Sequence, residues 1–282
     1  MKVKSGFVFF CIILMLSCCS EKPVRILILS GNNNHDWQKT TPLIQDVLQR
    51  NLNCRIVITE RPDTLHALML QSYDVIVSNW NAWPELEGLW NPQAKKAFAD
   101  FLTQGGGFVC VHAASATHYD WPPYLEIAGG RWGDKTHHGP ISDWMVQIVN
   151  TEHPITKGLQ PFTIRDELWV DLECSPSIEV LCAVQAGENR NRPGKLEPVA
   201  LITRYGKGHG FYLALGHDTA AMTHPGWQSL LVRGTLWTAK RGVHFNLSRL
   251  MSYGQLYIGI IVLLIFFPYG KSPLLPVGHS YQ

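Results

Sequence analysis

Short apolar runs alternate with amphipathic stretches along the first half of the chain. Residues 25–30, 54–59, 73–78 and 108–111 are apolar runs too short for helices, so they are predicted to be buried strands. Helical patterns lie between them, as in parallel sheets whose crossovers are helices. The alternation predicts an α/β fold with a doubly wound, mostly parallel sheet.

Capping residues predict where the helices of this half begin and end. Thr40 precedes Pro42, and Asn91 precedes Pro92, so each is expected to cap a helix. The glycine triplet at 105–107 is expected to stop the second of these helices. Because this triplet precedes its strand, it is not a dinucleotide-binding loop, and no nucleotide cofactor is predicted.

The second half reads as strands with few helices between them. A final helical pattern covers residues 227–239. The pattern predicts antiparallel additions to the same sheet and one α/β domain over residues 24–240. The predicted strands are 144–149, 162–170, 179–184, 199–205 and 211–215.

The first 20 residues have the character of an export signal. Lys2 and Lys4 precede an apolar core at residues 7–16, and Cys18 and Cys19 follow it. The pattern resembles a bacterial lipoprotein signal and predicts an exported, membrane-anchored lipoprotein. Cys18 is the favoured lipidation site because the small Ser17 precedes it. Cys19, and an ordinary secretory signal, remain alternatives.

A second apolar run lies in the C-terminal extension, residues 241–282. Residues 256–267 are almost wholly apolar but fall short of the ~20 residues that span a bilayer. A short membrane anchor and an appended segment without a role in the fold are both open, and the second is favoured.

Charge and cysteine usage exclude several classes of protein. The net charge of +2 and the lack of a lysine and arginine run argue against nucleic acid as a partner. No C-x-x-C motif occurs, so neither a thiolate zinc site nor a redox pair is predicted. A Cys174–Cys182 disulfide is left open. Ten tryptophans, several beside polar loops, suit either sugar stacking or a protein core.

Three predicted strands lead directly into a histidine. His35 follows the first strand, His112 the fourth and His217 the last. Ligands of open α/β sheets bind in the crevice at the carboxyl ends of the strands. These histidines are therefore candidate functional residues.

Several motifs, taken in order, carry a resemblance to a known family. The chain resembles the trehalose-utilisation, ThuA-like family of the class I glutamine amidotransferase-like superfamily. The resemblance implies a flavodoxin-like fold and a link to disaccharide metabolism. The matching motifs are Gly105-Gly-Gly-Phe-Val-Cys-Val-His-Ala-Ala114, Gly129-Gly-Arg131, Thr136-His-His138, His153-Pro154, Asp166-Glu167 and Gly208-His-Gly-Phe-Tyr-Leu-Ala-Leu-Gly-His217.

The same resemblance argues against glutamine amidotransfer. His112 stands where the superfamily has its nucleophilic cysteine, and His217 falls where the base histidine would lie. Two histidines do not supply thiolate chemistry. Cys110 lies inside the strand and is interpreted as a core residue, so the protein is not expected to be a glutamine amidotransferase.

A set of histidines with one carboxylate suits a metal ion or acid–base chemistry. His112, His138, His217 and Glu167 are predicted to form a site for Zn²⁺ or a similar divalent ion. His137 is the alternative to His138. Strand alternation places Asp166 and Glu167 on opposite faces, and Glu167, which matches the family motif, is chosen as ligand or general base.

Further residues are predicted to hold the substrate. Asp120 is a candidate for acid–base work or for sugar hydroxyls, with a turn-capping role as the alternative. Arg131 is expected to orient a polar substrate or to pair with Glu126. The remaining substrate-binding candidates are His35, Asn34, Trp80 and Trp121.

These residues predict an exported carbohydrate-processing protein. The favoured hypothesis is an enzyme acting on a disaccharide, glycoside or keto-sugar derivative, with His112, His217, Glu167 and Asp120 as catalytic residues. A non-catalytic sugar-binding lipoprotein and a structural or interaction domain are the alternatives. The sequence predicts neither the oligomeric state nor the sugar.

Overall fold

A mixed sheet forms the centre of the computed structural model, which describes residues 22–85, 87, 89–186 and 195–243. Within these residues the sheet has nine strands in the order β2-β1-β3-β4-β13-β12-β11-β7-β8. The strands are β1 (Val24–Leu29), β2 (Cys54–Thr59), β3 (Val75–Ser78), β4 (Gly107–Val111), β5 (Gly130–Arg131), β6 (His137–His138), β7 (Ser142–Ile148), β8 (Phe162–Asp166), β9 (Trp169–Val170), β10 (Glu173–Cys174), β11 (Glu179–Gln185), β12 (Leu196–Tyr205) and β13 (Gly208–Leu213).

The sheet divides into a parallel and an antiparallel half. Neighbouring strands from β2 to β13 run parallel, and those from β13 to β8 run antiparallel. Two short ribbons, β5–β10 and β6–β9, lie outside this sheet. The predicted α/β, flavodoxin-like fold, with antiparallel strands in its second half, is confirmed.

Helices cover both faces of the sheet and bury two separate cores. Alternate residues of the parallel strands point to opposite faces, which is why their sequences are apolar throughout. Ile26 and Val109 face one core with α1 and α6, whereas Leu27 and Phe108 face the other with α3 and α4. The helices are α1 (Trp37–Asn51), α2 (Ala67–Leu70), α3 (Pro92–Thr103), α4 (Pro123–Ala128), α5 (Thr219–Met222) and α6 (Pro225–Thr238).

One predicted helix start is wrong and one agrees with the structure. The α1 helix begins at Trp37, with Asp36 at its N-cap, and the Thr40 amide donates to the Asp36 carbonyl oxygen inside the first turn. The Thr40 and Thr41 hydroxyls are buried, and each accepts a hydrogen bond from Asn79 Nδ2 at 2.9 Å. Asn91 caps α3 as expected, its side chain accepting from the Ala94 amide. Buried threonines here fasten α1 to the end of β3.

The predicted strand over residues 162–170 is interrupted. It ends at Asp166 in β8, and a separate strand, β9, starts at Trp169. Simple alternation therefore does not extend across Asp166 and Glu167. Both carboxylates turn toward the carboxyl edge of the sheet, contrary to the prediction that they face opposite sides.

The described cysteines answer the open question of a disulfide and correct the expectation that Cys54 is buried. All four cysteines that the structure describes are free, so Cys174 and Cys182 form no disulfide. Cys54 is only half-buried because β2 is an edge strand. Several side chains of β2, including those of Arg55, Val57 and Ile58, face solvent.

Two predicted segments lie outside the described residues. They are the export signal with Cys18 and Cys19 and the apolar run at 256–267. In the part of the chain that the structure does describe, no helix has the length and apolar character needed to cross a membrane.

Candidate metal centre and active site

The candidate site lies where several strand ends meet. His35 is in the loop after β1, His112 follows β4 directly, and His217 follows β13. Glu167 follows β8. The chain leaves β1 for β2 on one side and continues with β3 on the other, so β1 and β3 flank a switch point of the kind where α/β sheets bind ligands.

His112 is held in a constrained position at the end of the central strand. Its backbone has φ +44°, a left-handed conformation that non-glycine residues adopt rarely and mostly at functional sites. Its Nδ1 lies 2.6 Å from the Ala214 carbonyl oxygen, which only accepts, so Nδ1 carries the proton. Nε2 is left with a lone pair, is buried, and has no hydrogen-bond partner among the described residues.

His35 and His217 pack edge-on against His112. The His35 ring centre lies 4.9 Å from that of His112 and 4.5 Å from that of His217. The His35 Nδ1 is 3.1 Å from Asn33 Oδ1, which leaves its Nε2 available. The ring centres of His112 and His217 are 5.6 Å apart, well inside the reach of a shared ion or substrate atom.

Glu167 supplies the carboxylate at the centre of this group. Its Oε1 accepts a hydrogen bond from Trp169 Nε1 at 2.7 Å and lies 3.7 Å from His112 Nε2. Its Oε2 is 3.5 Å from His217 Nδ1 and 3.1 Å from His138 Nδ1. One buried carboxylate thus contacts three histidines.

Four side chains form a compact donor set. One ligand atom from each of His35, His112, Glu167 and His217 lies within 4.8 Å of the others. Three imidazole nitrogens and a carboxylate oxygen are ligands that suit Zn²⁺ and similar ions. The orphaned Nε2 of His112 fits such an ion, because a backbone carbonyl behind a ligating histidine is the usual outer-shell support.

The electrostatics of this set favour a cation. Burial, and then the charge of His217, lower the pKa of His35 to about 4. Burial and His35 also lower the pKa of His112. Burial alone would raise the pKa of Glu167, but His217, His112 and Trp169 hold it below its usual value. The Glu167 carboxylate in turn raises the pKa of His217. At neutral pH two imidazoles are therefore neutral beside an ionised carboxylate.

Asp166 connects the two sides of the site from behind. Its Oδ1 accepts from the Glu167 amide at 2.8 Å and from the His217 amide at 3.1 Å. Its Oδ2 accepts from the Gly216 amide at 2.6 Å. Burial raises the pKa of Asp166 to about 6, and these three backbone donors oppose that rise. Strand alternation predicted that Asp166 faces away from Glu167, which is wrong, and gave no sign of its contact with the His217 loop.

His138 lies at the mouth of the site, outside the compact donor set. Its side chain is half-exposed, and Nδ1 is 3.0 Å from the Gly139 carbonyl oxygen as well as near Glu167. His137, the alternative, is exposed and its ring contacts the Lys135 carbonyl oxygen. The structure thus brings His35, predicted as a substrate-binding residue, into the position that the sequence analysis gave to His138.

Four other predicted residues lie away from this site. Asp120 pairs with Lys95 at 2.9 Å. Trp121 packs beside them, its ring 5.9 Å from the Lys95 ammonium. Trp80 is buried against Trp90 and His118. These three placements correct the prediction that Asp120, Trp80 and Trp121 contact substrate in the same pocket.

Arg131 is also engaged elsewhere. It forms two hydrogen bonds of 2.9 Å with Glu173, instead of pairing with Glu126, and stacks over Tyr119. Paired strands β5 and β10 place Arg131 opposite Glu173, which explains the change of partner. Arg131 therefore does not line the histidine pocket.

The site opens into a cavity of about 480 Å³, within the usual range for small-molecule pockets. Trp83, Trp132 and Trp169 line it and were not assigned as site residues from the sequence. The fully buried Asn81 was also missed, although it binds the Ala113 carbonyl and Asn34. The other residues lining the cavity are Asn34, His35, Asp36, Ala113, Ala116, His138, Glu167, His217 and Asp218.

Cys110 has no access to this cavity. It is wholly buried in β4, and burial raises the pKa of its thiol far above the usual value. A thiol in that state supplies no thiolate nucleophile. The physical argument against cysteine chemistry therefore agrees with the interpretation of Cys110 as a core residue.

The fold and site define a flavodoxin-like α/β protein with a histidine-rich pocket at the carboxyl edge of its sheet. The family model described as trehalose utilisation, ThuA, matches residues 25–238. The chain belongs to this family, as the motifs in the sequence indicated, and the family points to a carbohydrate-related role.

Solved structures show the same fold at low sequence identity. A ThuA-like protein from Parabacteroides merdae is 24% identical, with a TM-score of 0.67 over 79% of this chain and 92% of that chain. One from Bacteroides uniformis is 20% identical, with a TM-score of 0.62 over 78% and 93%. A β-galactosidase from Rahnella sp. R3 is 16% identical, with a TM-score of 0.50 over 78% of this chain and 31% of that chain. No curated protein matches the chain significantly.

Proposed function

We propose that the protein is an exported carbohydrate-processing enzyme that acts on a disaccharide, glycoside or keto-sugar derivative. In this proposal a divalent cation, with Zn²⁺ as the first choice, binds to His35, His112, His217 and Glu167. The carbohydrate-related family supports the substrate class. The compact set of nitrogen and oxygen donors supports the cation.

The strongest support for the proposal is that the buried, unpaired Nε2 of His112 converges with ligand atoms of His35, Glu167 and His217. An unpaired polar atom in the interior costs free energy, and a bound cation would satisfy this one. The Ala214 carbonyl fixes the tautomer, so this nitrogen presents a lone pair toward Glu167. His35 and His217 bring two further rings to the same point. A ligand that accepts lone pairs satisfies all of these groups together.

The chemistry of the pocket follows from its own residues. A divalent ion, when bound, polarises a sugar carbonyl or hydroxyl oxygen. Glu167 Oε2 contacts His138, which is half-exposed at the mouth of the cavity. This pair can pass a proton between a substrate in the cavity and solvent. Trp132 and Trp169 cover the side of the cavity next to these groups and limit the access of water.

Metal analysis of the purified protein tests the proposal directly. We expect close to one equivalent of a divalent metal in the wild type, and a large loss in His112→Ala and His217→Ala. His137→Ala is the matched control, because it removes an exposed imidazole beside the site without touching the donor set. A wild type that stays metal-free after loading, or variants that keep their metal, would contradict the proposed centre.

A substrate screen separates the enzyme from a binding protein. The loaded protein is incubated with disaccharides and their keto forms, and both turnover and binding are measured. Turnover that is lost in His112→Ala supports the enzyme. Binding without turnover across the whole screen favours the alternative, a sugar-binding lipoprotein.

Export and lipid anchoring are part of the proposal and rest on residues 1–20 of the sequence. Stable anchoring needs more than one acyl chain, so loss of the lipidated cysteine should release the protein. We expect the double substitution of Cys18 and Cys19 by alanine to move the protein from the membrane fraction to the soluble fraction. Full retention in the membrane would indicate that residues 256–267 are the anchor.

A further inference from the structure

Two chemically different walls enclose the cavity. The polar wall consists of Asn34, His35, Asp36, Glu167, His217 and Asp218. The aromatic wall consists of Trp83, Trp132 and Trp169. Three of the four proposed metal ligands, His35, Glu167 and His217, belong to the polar wall, whereas Trp83 has no role in the proposed metal centre.

The three rings of the aromatic wall form a continuous angled surface. Trp132 lies in the middle, with its ring centre 5.1 Å from that of Trp169 at an interplanar angle of 88°. Its ring is 6.5 Å from that of Trp83 at 64°. The indole N–H of Trp169 donates a hydrogen bond to Glu167 Oε1, so this ring is fixed next to the histidines. The surface therefore leads from the donor set outward to Trp83.

Trp83 is exposed yet firmly placed. It is 41% exposed, an unusual degree for so large an apolar ring in a folded protein. Its backbone amide donates to Asn81 Oδ1 at 3.0 Å. Asn81 is completely buried, and its Nδ2 donates to the Ala113 carbonyl and to Asn34 Oδ1. A buried amide thus holds both walls of the cavity in one arrangement.

The charge of the cavity selects among ligands. Asp36, Glu167 and Asp218 line it, whereas no lysine or arginine is found among the described residues that do so. Phosphate and carboxylate groups are normally bound by arginine or lysine, and the three carboxylates of this wall repel them. Carboxylate and amide oxygens instead accept hydrogen bonds from hydroxyl groups. The polar wall therefore favours a neutral, hydroxyl-rich ligand over an anionic one.

We propose that the aromatic wall is the binding subsite for the second, non-reacting ring of a neutral disaccharide or glycoside. The apolar face of a pyranose ring lies against Trp83 and Trp132, while the reacting unit contacts the polar wall. A pocket of about 480 Å³ that pairs apolar rings with a few polar groups has the usual composition of a small-molecule site. This inference rests on the proposed function and adds the class of substrate and the residues that select it.

Binding of trehalose to the metal-free, full-length protein tests the subsite independently of the metal centre. Affinity is measured calorimetrically in the presence of a chelator for the wild type, Trp83→Ala and Trp83→Phe. We expect Trp83→Ala to lose about tenfold or more in affinity and Trp83→Phe to recover part of it. Trp121→Ala is the matched control, because Trp121 packs beside Lys95 outside this cavity and its loss should leave the affinity unchanged.

Anionic and ring-free sugars complete the experiment. Trehalose 6-phosphate should bind more weakly than trehalose, and the open-chain sorbitol should bind weakest. Unchanged affinity in Trp83→Ala, a preference for the phosphate, or no binding by any neutral disaccharide tried would each overturn the subsite. If the metal analysis succeeds and this experiment fails, the subsite is wrong and the proposed enzyme stands. If trehalose binds through Trp83 but no metal is found, the subsite stands and the proposed metal-dependent enzyme is wrong.

Discussion

Two histidines on the segment after β4, His112 and His118, are alike in burial and backbone conformation but differ in the groups that face their ring nitrogens. His112 and His118 both have left-handed backbones, with φ of +44° and +56°. Each is almost completely buried and contacts tryptophan rings. Burial is the largest cause of the lowered pKa of both, which reaches about 3 for His118. Burial and a lowered pKa alone therefore do not distinguish the two residues.

The difference lies in what the ring nitrogens face. His112 presents Nε2 to Glu167, with two more histidines beside it. His118 is surrounded by Trp80, Trp90, Trp121 and Tyr124, and neither of its ring nitrogens has a hydrogen-bond partner among the described residues. Convergence of donors, and not burial, is what makes the His112 region a candidate for chemistry.

Substitution of His112 and of His118 should give the largest expected difference in turnover. His112→Ala should lower turnover on the substrate by about 10²-fold or more, because a proposed ligand of the ion that polarises the substrate is lost. His118→Phe should keep turnover close to the wild-type value, since it replaces one ring in an aromatic cluster by another. Steady-state kinetics of the two variants measure this contrast. Equal losses of turnover in the two variants would assign His118 a part in the reaction.

Asp166→Asn tests whether the carboxylate behind the donor set supports the proposed metal ligands. The substitution keeps the size of the side chain but weakens the acceptor that holds the Glu167 and His217 amides together. Residues that support metal ligands in this way typically contribute 10- to 100-fold to affinity, so metal affinity should fall within that range. Competition with a chelator measures the change.

Asp218→Asn is the control for Asp166→Asn. Asp218 caps α5, and its side chain also accepts a hydrogen bond from a backbone amide, but that amide belongs to Ala221, which is not a proposed metal ligand. It should alter metal affinity much less than Asp166→Asn does. An equal effect of the two variants would mean that general loosening of the loop, and not the bridge between the two donors, sets the affinity.

The sequence predicted the parts of the site that strand ends determine. His112 and His217 follow buried strands, and the position of such strands is encoded in their apolar runs. The position of His35 depends on the path of the loop after β1. Side-chain hydrogen bonds set this path, such as the one that Asn33 Nδ2 donates to the Asn79 carbonyl oxygen. No periodic pattern encodes such bonds, so His138 was chosen as a ligand in place of His35.

The tryptophans show the same limit in another way. Trp80 and Trp83 lie in one loop after β3, yet Trp80 is buried and Trp83 is exposed in the cavity wall. Which ring turns outward depends on the local backbone, here on the bond from the Trp83 amide to Asn81. Composition correctly drew attention to tryptophans beside polar loops, but it did not identify the ones that line the pocket.

The pH dependence of stability tests the second histidine. The pKa of His118 is about 3 in the folded protein and near ~6.5 when unfolded, so between these values the unfolded chain binds more protons. Stability from this group is therefore complete above pH 6.5 and is lost as the pH falls toward 3. From pH 7 to pH 5 the free energy of unfolding should decrease by about 2 kcal/mol less in His118→Phe than in the wild type. Urea unfolding at both pH values measures it, and an unchanged difference would show that His118 is not buried as a neutral ring.

The smallest expected effect is that of Asp120→Asn. Asp120 pairs with Lys95 near the His118 cluster, and the two side chains are 30% and 15% exposed. Ion pairs that are accessible to solvent contribute about 0–1 kcal/mol, so the free energy of unfolding should fall by less than about 1 kcal/mol. Turnover should not change, because the residue lies outside the histidine cavity. Thermal unfolding and kinetics on the same preparation check both expectations. A clear loss of turnover at unchanged stability would restore Asp120 as a catalytic candidate and would join the two histidine regions into one site.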